Sequence, residues 1–102
     1  MIYGITKTEE KIIKNILSPY FNEYDFYYYG SRVKGNFEKT SDLDILIKGL
    51  KSMPFNILEE IKEAFDNSHI SYVVNFSDYN KIDNEFYNII KKDLRPIIKG
   101  EI

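Results

Sequence analysis

The sequence predicts an α/β fold. Three amphipathic helical patterns alternate along the chain with short runs of β-favouring residues, and this alternation is typical of α/β domains. The 102 residues suffice for one modest hydrophobic core and are too few for two. We therefore expect residues 1–102 to form a single domain.

The first half of the chain contains signals for one helix and two strands. Thr6 and Glu9 have the spacing of a capping box, which predicts a helix that starts there and ends or bends at Pro19. The first strand is predicted over residues 26–29 and the second over residues 42–47. A loop is expected to follow the second strand.

The second half repeats the alternation. Pro54 is well placed in the first turn of a second helix, because a proline there loses no helical hydrogen bond. The third strand is predicted over residues 72–76, and Asp83 is expected to cap a third helix. Residues 94–98 are expected to form a short last strand or an extended tail.

Three consecutive tyrosines, Tyr27, Tyr28 and Tyr29, lie in the first predicted strand. The simplest interpretation is a strand with one buried face and one solvent-facing side. The alternative is a surface for a partner, since tyrosine is common at protein interfaces. In that case Tyr27 or Tyr29 would be exposed.

Composition and charge exclude several classes of protein. The chain has no cysteine, which excludes disulfides and thiolate metal sites. Its formal net charge of -2, from 14 basic and 16 acidic residues, gives no reason to expect general nucleic-acid binding. No signal-peptide pattern and no apolar run of about 18 residues is present, so we expect a cytoplasmic protein without a membrane span.

A Gly-Ser turn follows the tyrosine strand. Gly30 tolerates backbone angles that other residues avoid, and backbone N–H groups at such a turn can bind phosphate oxygens together with the Ser31 hydroxyl. A short helix opening after Ser31 would add its N-terminal dipole to this anion site. Arg32 and Lys34 could each contact phosphate or remain solvated loop charges.

An Asp-Leu-Asp triplet begins the second predicted strand. Asp42 and Asp44 are two residues apart, so both side chains leave the same face of the sheet, while Leu43 and Ile45 point to the core. Hard oxygen ligands of this kind suit Mg²⁺. The alternative is a strand edge made polar against aggregation.

Together these motifs resemble the signature of the DNA polymerase β-like nucleotidyltransferases: Gly30-Ser31, ten intervening residues, then Asp42-Leu43-Asp44. The short chain and its Gly-Ser-Arg-Val-Lys-Gly form resemble the minimal nucleotidyltransferases, the antitoxin-type partners of HEPN proteins. The resemblance implies a small mixed β-sheet flanked by helices. It also implies that Gly30 and Ser31 contact the triphosphate of ATP or another NTP, and that Asp42 and Asp44 hold one or two Mg²⁺ ions.

The sequence departs from the family at its third acid. The family pattern Val-Asp-Leu-x-Asp aligns with Val74-Asn75-Phe76-Ser77-Asp78, which places Asn75 among the catalytic residues in place of an aspartate. An amide can ligate a cation but has no charge and takes up no proton. Asp78 is three residues further on and faces the other side of a regular strand.

The resemblance implies transfer of a nucleoside monophosphate, AMP from ATP in the first instance, to a hydroxyl of a helical HEPN-type partner protein. The family's usual acceptor is a tyrosine. Because Asn75 lacks the activating carboxylate, the alternative is a non-enzymatic antitoxin or adaptor. Transfer to a drug or an RNA end would need a second substrate-binding domain. The sequence leaves open whether homo-oligomers form.

Overall fold

Helices and strands alternate along the chain much as the sequence predicts. The structure is a computed structural model that describes residues 4–98. Its α-helices are α1 (Lys7–Leu17), α2 (Ser31–Lys34), α3 (Phe55–Asp66) and α4 (Asn84–Ile90), and its strands are β1 (Tyr24–Tyr29), β2 (Leu43–Gly49), β3 (Val74–Asp78) and β4 (Arg95–Pro96). No helix within residues 4–98 is long and apolar enough to cross a membrane.

The capping box at the start of α1 is confirmed. The Glu9 N–H donates to Thr6 Oγ1 at 3.0 Å, and the Thr6 N–H donates to Glu9 Oε1 at 2.9 Å. At the other end α1 passes into a 3₁₀ turn, Ser18–Tyr20, that contains Pro19. Proline therefore ends the α-helix where the sequence predicts it to.

The four strands form one mixed sheet in the order β3-β2-β1-β4, which confirms the expected fold class. β1 runs antiparallel to β2 and to β4, whereas β2 and β3 run parallel. In this register Asp44 lies opposite Tyr29 on one side and opposite Asn75 on the other. Residues from three separate segments thus meet at one end of β2.

Hydrophobic clusters cover both faces of the sheet. The larger cluster packs α1 and α3 against one face and includes Tyr28. The smaller one packs α4 against the other face and contains Tyr29, Leu46 and Ile90. The expectation of a solvent-facing side for the tyrosine strand is therefore wrong at Tyr29, which is only 7% exposed.

The third strand lies two residues later than predicted. Pairing with β2 begins at Leu43 and Val74, so β3 covers 74–78 rather than 72–76. Tyr72 lies outside the sheet, and its ring packs against the Arg32 guanidinium. The last strand is only two residues long, within the predicted range of 94–98.

Candidate nucleotide and metal site

The Gly-Ser turn has the geometry that an anion site requires. Gly30 adopts φ 87°, in the left-handed region that favours glycine, and α2 opens directly after it at Ser31. The N–H groups of Val33 and Lys34 both donate to the Gly30 carbonyl, at 3.0 and 3.1 Å. Because the first N–H groups of a helix have no intrahelical acceptor, the turn presents backbone donors at Ser31.

The turn lies directly against the acid pair. A Cβ atom at residue 30 would collide with the carboxylate of Asp44, so only glycine fits there. The contact follows from the antiparallel pairing of β1 and β2, which sets Tyr29 opposite Asp44. The backbone N–H groups of the turn and the carboxylates of the acid pair are therefore contiguous.

The structure brings Asp42, Asp44 and Asn75 together. The Asn75 side-chain amide donates to Asp42 Oδ2 at 2.8 Å and, over a longer distance of 3.4 Å, to Asp44 Oδ1. A carbonyl oxygen facing two carboxylates would be repelled, so the NH₂ group is the end that belongs there. These hydrogen bonds stabilise negative charge on the carboxylates.

Burial raises the pKa of Asp44 above its ordinary value. The hydrogen bond from Asn75 acts in the opposite direction, and the charge of Asp42 adds to the increase. The ionised pair is thus costly on its own and would be stabilised by a positive ion.

Two carboxylates are ligands that fit a hard cation such as Mg²⁺, and the Asn75 amide could add its oxygen only by turning its NH₂ group away from the acids. Within the ranges that the structure describes, no cluster contains three or more His, Cys, Asp or Glu side chains. Asn75 is the uncharged member of this group of three polar side chains.

Asp78 does not supply that ligand. Its carboxylate accepts from the Met53 N–H at 2.8 Å and from the Asn80 N–H at 2.9 Å. These bonds fix the loops before α3 and after β3. The expectation that Asp78 faces away from Asn75 agrees with this placement.

Arg32 has neither of the two roles that the sequence suggested for it. Its guanidinium is buried, with 2% of the residue exposed, so the solvated alternative is wrong. Four of its five N–H groups donate to the carbonyls of Gly4, Lys39 and Ser41. Because these donors are already used inside the protein, we replace the predicted phosphate contact with a role within the fold.

Lys34 remains exposed, at the last position of α2. Its ammonium lies 3.7 Å from Asp93 Oδ2, an ion pair that is too long for a hydrogen bond. A side chain held this weakly is free to reach an anion near the turn, and its contact with phosphate stays a prediction.

A pair of hydroxyl groups that the sequence did not predict lies beside the acids. Tyr29 and Ser77 are hydrogen-bonded, with 2.8 Å between their oxygens. Burial raises the pKa of Tyr29, the bond to Ser77 opposes that shift, and the charge of Asp44 adds to it. The two-residue period of the third strand could have indicated Ser77, because it places Ser77 on the same face as Asn75.

Comparison with known proteins decides the family. The family described as "Polymerase beta, Nucleotidyltransferase" matches residues 10–100. The chain belongs to this nucleotidyltransferase family. It is also 37% identical over 87 residues to the "Probable protein adenylyltransferase MntA" of Haemophilus influenzae, covering 84% of this chain and 76% of that relative.

Two solved structures are similar in fold. A toxin–antitoxin with AMP-PNP superposes with a TM-score of 0.73 at 16% identity, over 91% of this chain and 75% of the other. A mutant of the toxin–antitoxin MntA-HpeT superposes with a TM-score of 0.71 at 14% identity, over 90% of this chain and 74% of the other. At these identities the likeness shows the fold alone. Together with the family match, it confirms the resemblance to the minimal nucleotidyltransferases.

Proposed function

We propose that this protein binds Mg-ATP and transfers AMP to a hydroxyl group of a partner protein. The observation that carries the proposal is the contact between the Gly30 turn and the Asp44 carboxylate, because a nucleotide triphosphate needs donors and a cation at one place. The similarity to a relative named an adenylyltransferase supports AMP as the transferred group. The AMP-PNP in the name of one structural match supports ATP as its source.

Each residue of the site has a distinct role in this proposal. Gly30 and Ser31 hold and orient the triphosphate for in-line attack, and Asp42 and Asp44 hold Mg²⁺. When bound there, Mg²⁺ would neutralise charge on the triphosphate and on the leaving pyrophosphate. Most of the rate enhancement then comes from positioning and electrostatics.

The transfer itself exchanges one bond for another. The acceptor oxygen forms a bond to the α-phosphorus of ATP while the bond from that phosphorus to the pyrophosphate oxygen breaks. Pyrophosphate leaves with the electron pair, and the acceptor becomes an AMP ester. The Asn75 amide cannot take the hydroxyl proton, so in this proposal the proton passes to solvent without help from residue 75.

Calorimetric titration of ATP with and without Mg²⁺ tests the binding step. We expect Mg²⁺-dependent binding in the parent protein and its loss in the double variant Asp42→Ala/Asp44→Ala. Asp25→Ala is the matched control, since Asp25 is an exposed acid at the opposite end of the same sheet. Equal binding by the parent and the double variant would contradict the proposal.

A second function is favoured by one observation, the amide of Asn75 between the two acids. A non-enzymatic antitoxin or adaptor needs only a stable surface, and this hydrogen bond stabilises the acids without a cation. Incubation with ATP labelled at the α-phosphate, together with the co-purified partner, separates the two functions. Label on the partner supports transfer, whereas a stable complex without label supports the adaptor.

The partner we propose is a helical HEPN-type toxin, with which this chain would act as a cytoplasmic antitoxin. The toxin–antitoxin names of the structural matches support this assignment. Affinity purification of the tagged protein, co-expressed with the genes that neighbour its own, tests it. Recovery of no helical protein would contradict the proposed partner while leaving nucleotide binding to be judged by calorimetry.

A further inference from the structure

We infer that Arg32 is a positioning residue that holds Asp42 in place relative to the phosphate turn. This inference rests on the proposed function, because it concerns a residue that supports the same site. Arg32 follows Ser31 directly in the chain, so its backbone belongs to the turn. Its side chain reaches across to the other half of the motif.

Two of the hydrogen bonds of Arg32 go to the residue before Asp42. Nε and Nη2 both donate to the carbonyl of Ser41, at 3.1 and 3.0 Å. Two N–H groups of one guanidinium thus donate to a single main-chain oxygen. This arrangement links the turn at Ser31 to the start of the acid triplet.

The loop between the two halves of the motif is anchored by the same side chain. Nη2 also donates to the Lys39 carbonyl at 3.2 Å. Within the loop, the Glu38 N–H donates to Ser41 Oγ at 2.7 Å and the Ser41 N–H donates to the Glu38 carbonyl at 2.9 Å. Residues 38–41 therefore form a tight turn fixed to the guanidinium.

Aromatic rings enclose the guanidinium. Its Cζ lies 3.9 Å from the ring centre of Tyr72 and 5.2 Å from that of Phe37. The Gly4 carbonyl accepts from Nη1 at 2.8 Å. Carbonyl oxygens and ring faces thus compensate a buried positive charge.

The two acids differ in what holds them. Asp44 lies within β2 and is fixed by strand pairing on both sides. Asp42 precedes the first paired residue, Leu43, and is exposed. The carboxylate of Asp42 accepts a hydrogen bond from the Asn75 amide, whereas its main chain follows the loop that Arg32 anchors.

Replacing Arg32 by Lys is the sharpest test, because it keeps the charge and removes the planar fork. The first readout is Mn²⁺ affinity without nucleotide, from the electron paramagnetic resonance signal of free Mn²⁺. Loss of a residue that orients a metal ligand typically lowers affinity about 10–100-fold, and we expect that range for Arg32→Lys. The control Ile13→Val removes one buried methylene from α1, far along the chain from the site, and should leave the affinity unchanged.

The second readout is ATP affinity without divalent cations. A positioning role predicts the same value for the parent and for Arg32→Lys, while the gain on adding Mg²⁺ falls in the variant. Equal loss with and without Mg²⁺ would show that Arg32 binds phosphate directly and would overturn the inference. Unchanged Mn²⁺ affinity in a folded variant would overturn it as well.

A measurement on the parent protein covers the case in which the variant does not fold. Titration of the ¹⁵N-labelled protein with Mg²⁺ should shift the Arg32 Nε–H signal together with the Asp42 amide signal. An Arg32 signal that stays in place while Asp42 moves overturns the inference, and so does an acid pair that binds no cation. A parent that binds Mn²⁺ but not ATP would defeat the proposed function alone, because the cation readouts need no nucleotide.

Discussion

Replacing Asn75 by Asp tests the role of the amide between the two acids. The change removes the hydrogen bonds to Asp42 and Asp44 and adds a third negative charge beside them. Hydrogen bonds to charged groups contribute about 1.5–3 kcal/mol when protected from water, but Asn75 is exposed and the second bond is long. We therefore expect a loss of about 1 kcal/mol from the hydrogen bonds.

Repulsion adds to that loss. Two unit charges about 4 Å apart in a water-like environment repel by about 1 kcal/mol, and the new carboxylate faces two acids, so repulsion adds about 2 kcal/mol. The total of about 3 kcal/mol corresponds to a fall in Tm of about 15 °C for a domain of this size. Because the added charge is also a cation ligand, saturating Mg²⁺ should recover most of the repulsive part.

Thermal unfolding with EDTA and with Mg²⁺ measures this effect, and a radiolabel assay measures AMP transfer to the partner. Where a general base is restored, the rate should rise about 10²–10⁴-fold. Asn75→Ala is the matched control, because it removes the same hydrogen bonds without adding charge. Its smaller loss of stability should recover less on adding Mg²⁺ than that of Asn75→Asp, because only Asp42 and Asp44 remain as cation ligands.

Two results would refute this reasoning. Equal stability of Asn75→Asp and the parent in EDTA would mean that the amide does not neutralise the acids. Equal gains from Mg²⁺ in Asn75→Asp and Asn75→Ala would mean that residue 75 is not a cation ligand. A variant that gains stability from Mg²⁺ but transfers no AMP would instead favour the adaptor.

Three further predictions concern neighbouring residues. Burial holds the pKa of Asp44 above its value in the unfolded chain, so the folded state loses stability as the pH rises through the interval between these two pKa values. At pH 7 the free energy of unfolding of Asp44→Asn, measured in urea, should therefore exceed that of the parent. A difference between the two proteins that does not change with pH would contradict this. Gly30→Ala should lower the free energy of unfolding by about 1–3 kcal/mol because of its backbone angle, and should abolish ATP binding because the new Cβ collides with Asp44. Gly35→Ala, at a similar φ of 89°, should keep ATP binding in calorimetry. Tyr29→Phe should lower the free energy of unfolding by about 1 kcal/mol through loss of the bond to Ser77, and an unchanged value in urea would show that this bond adds nothing.

Local signals predicted most of the elements. The Thr6 and Glu9 capping box fixed the start of α1, and the apolar stripe after Pro54 located α3. These signals work because they depend on contacts within one or two helical turns. The Gly30 turn and the short helix after it were found for the same reason.

Burial by distant elements could not be predicted. Tyr29 is covered by α4, where its ring meets Phe86 edge-on with 6.0 Å between ring centres. Nothing near Tyr29 in the sequence indicates this contact. Arg32 was misjudged for the same reason, because its rings and carbonyls come from residues 4 to 72.

The candidate site was predicted in part. The spacing of Asp42 and Asp44 places them on one face, and the family resemblance aligned Asn75 with the missing acid. The donation of the Asn75 amide to both acids was not foreseen, because the alignment gives position and not orientation. The Tyr29–Ser77 hydroxyl pair required the register of three strands.

Asn75 belongs to β3, which is the outermost strand on its side of the sheet, and its side chain is exposed. The turn and the acid pair instead lie close together in sequence, and the antiparallel pairing of β1 and β2 brings them into contact. Residue 75 can therefore change without repacking the core. Asparagine and aspartate codons differ by one base, so a single mutation at the sheet edge would be enough to exchange the amide at residue 75 for a carboxylate.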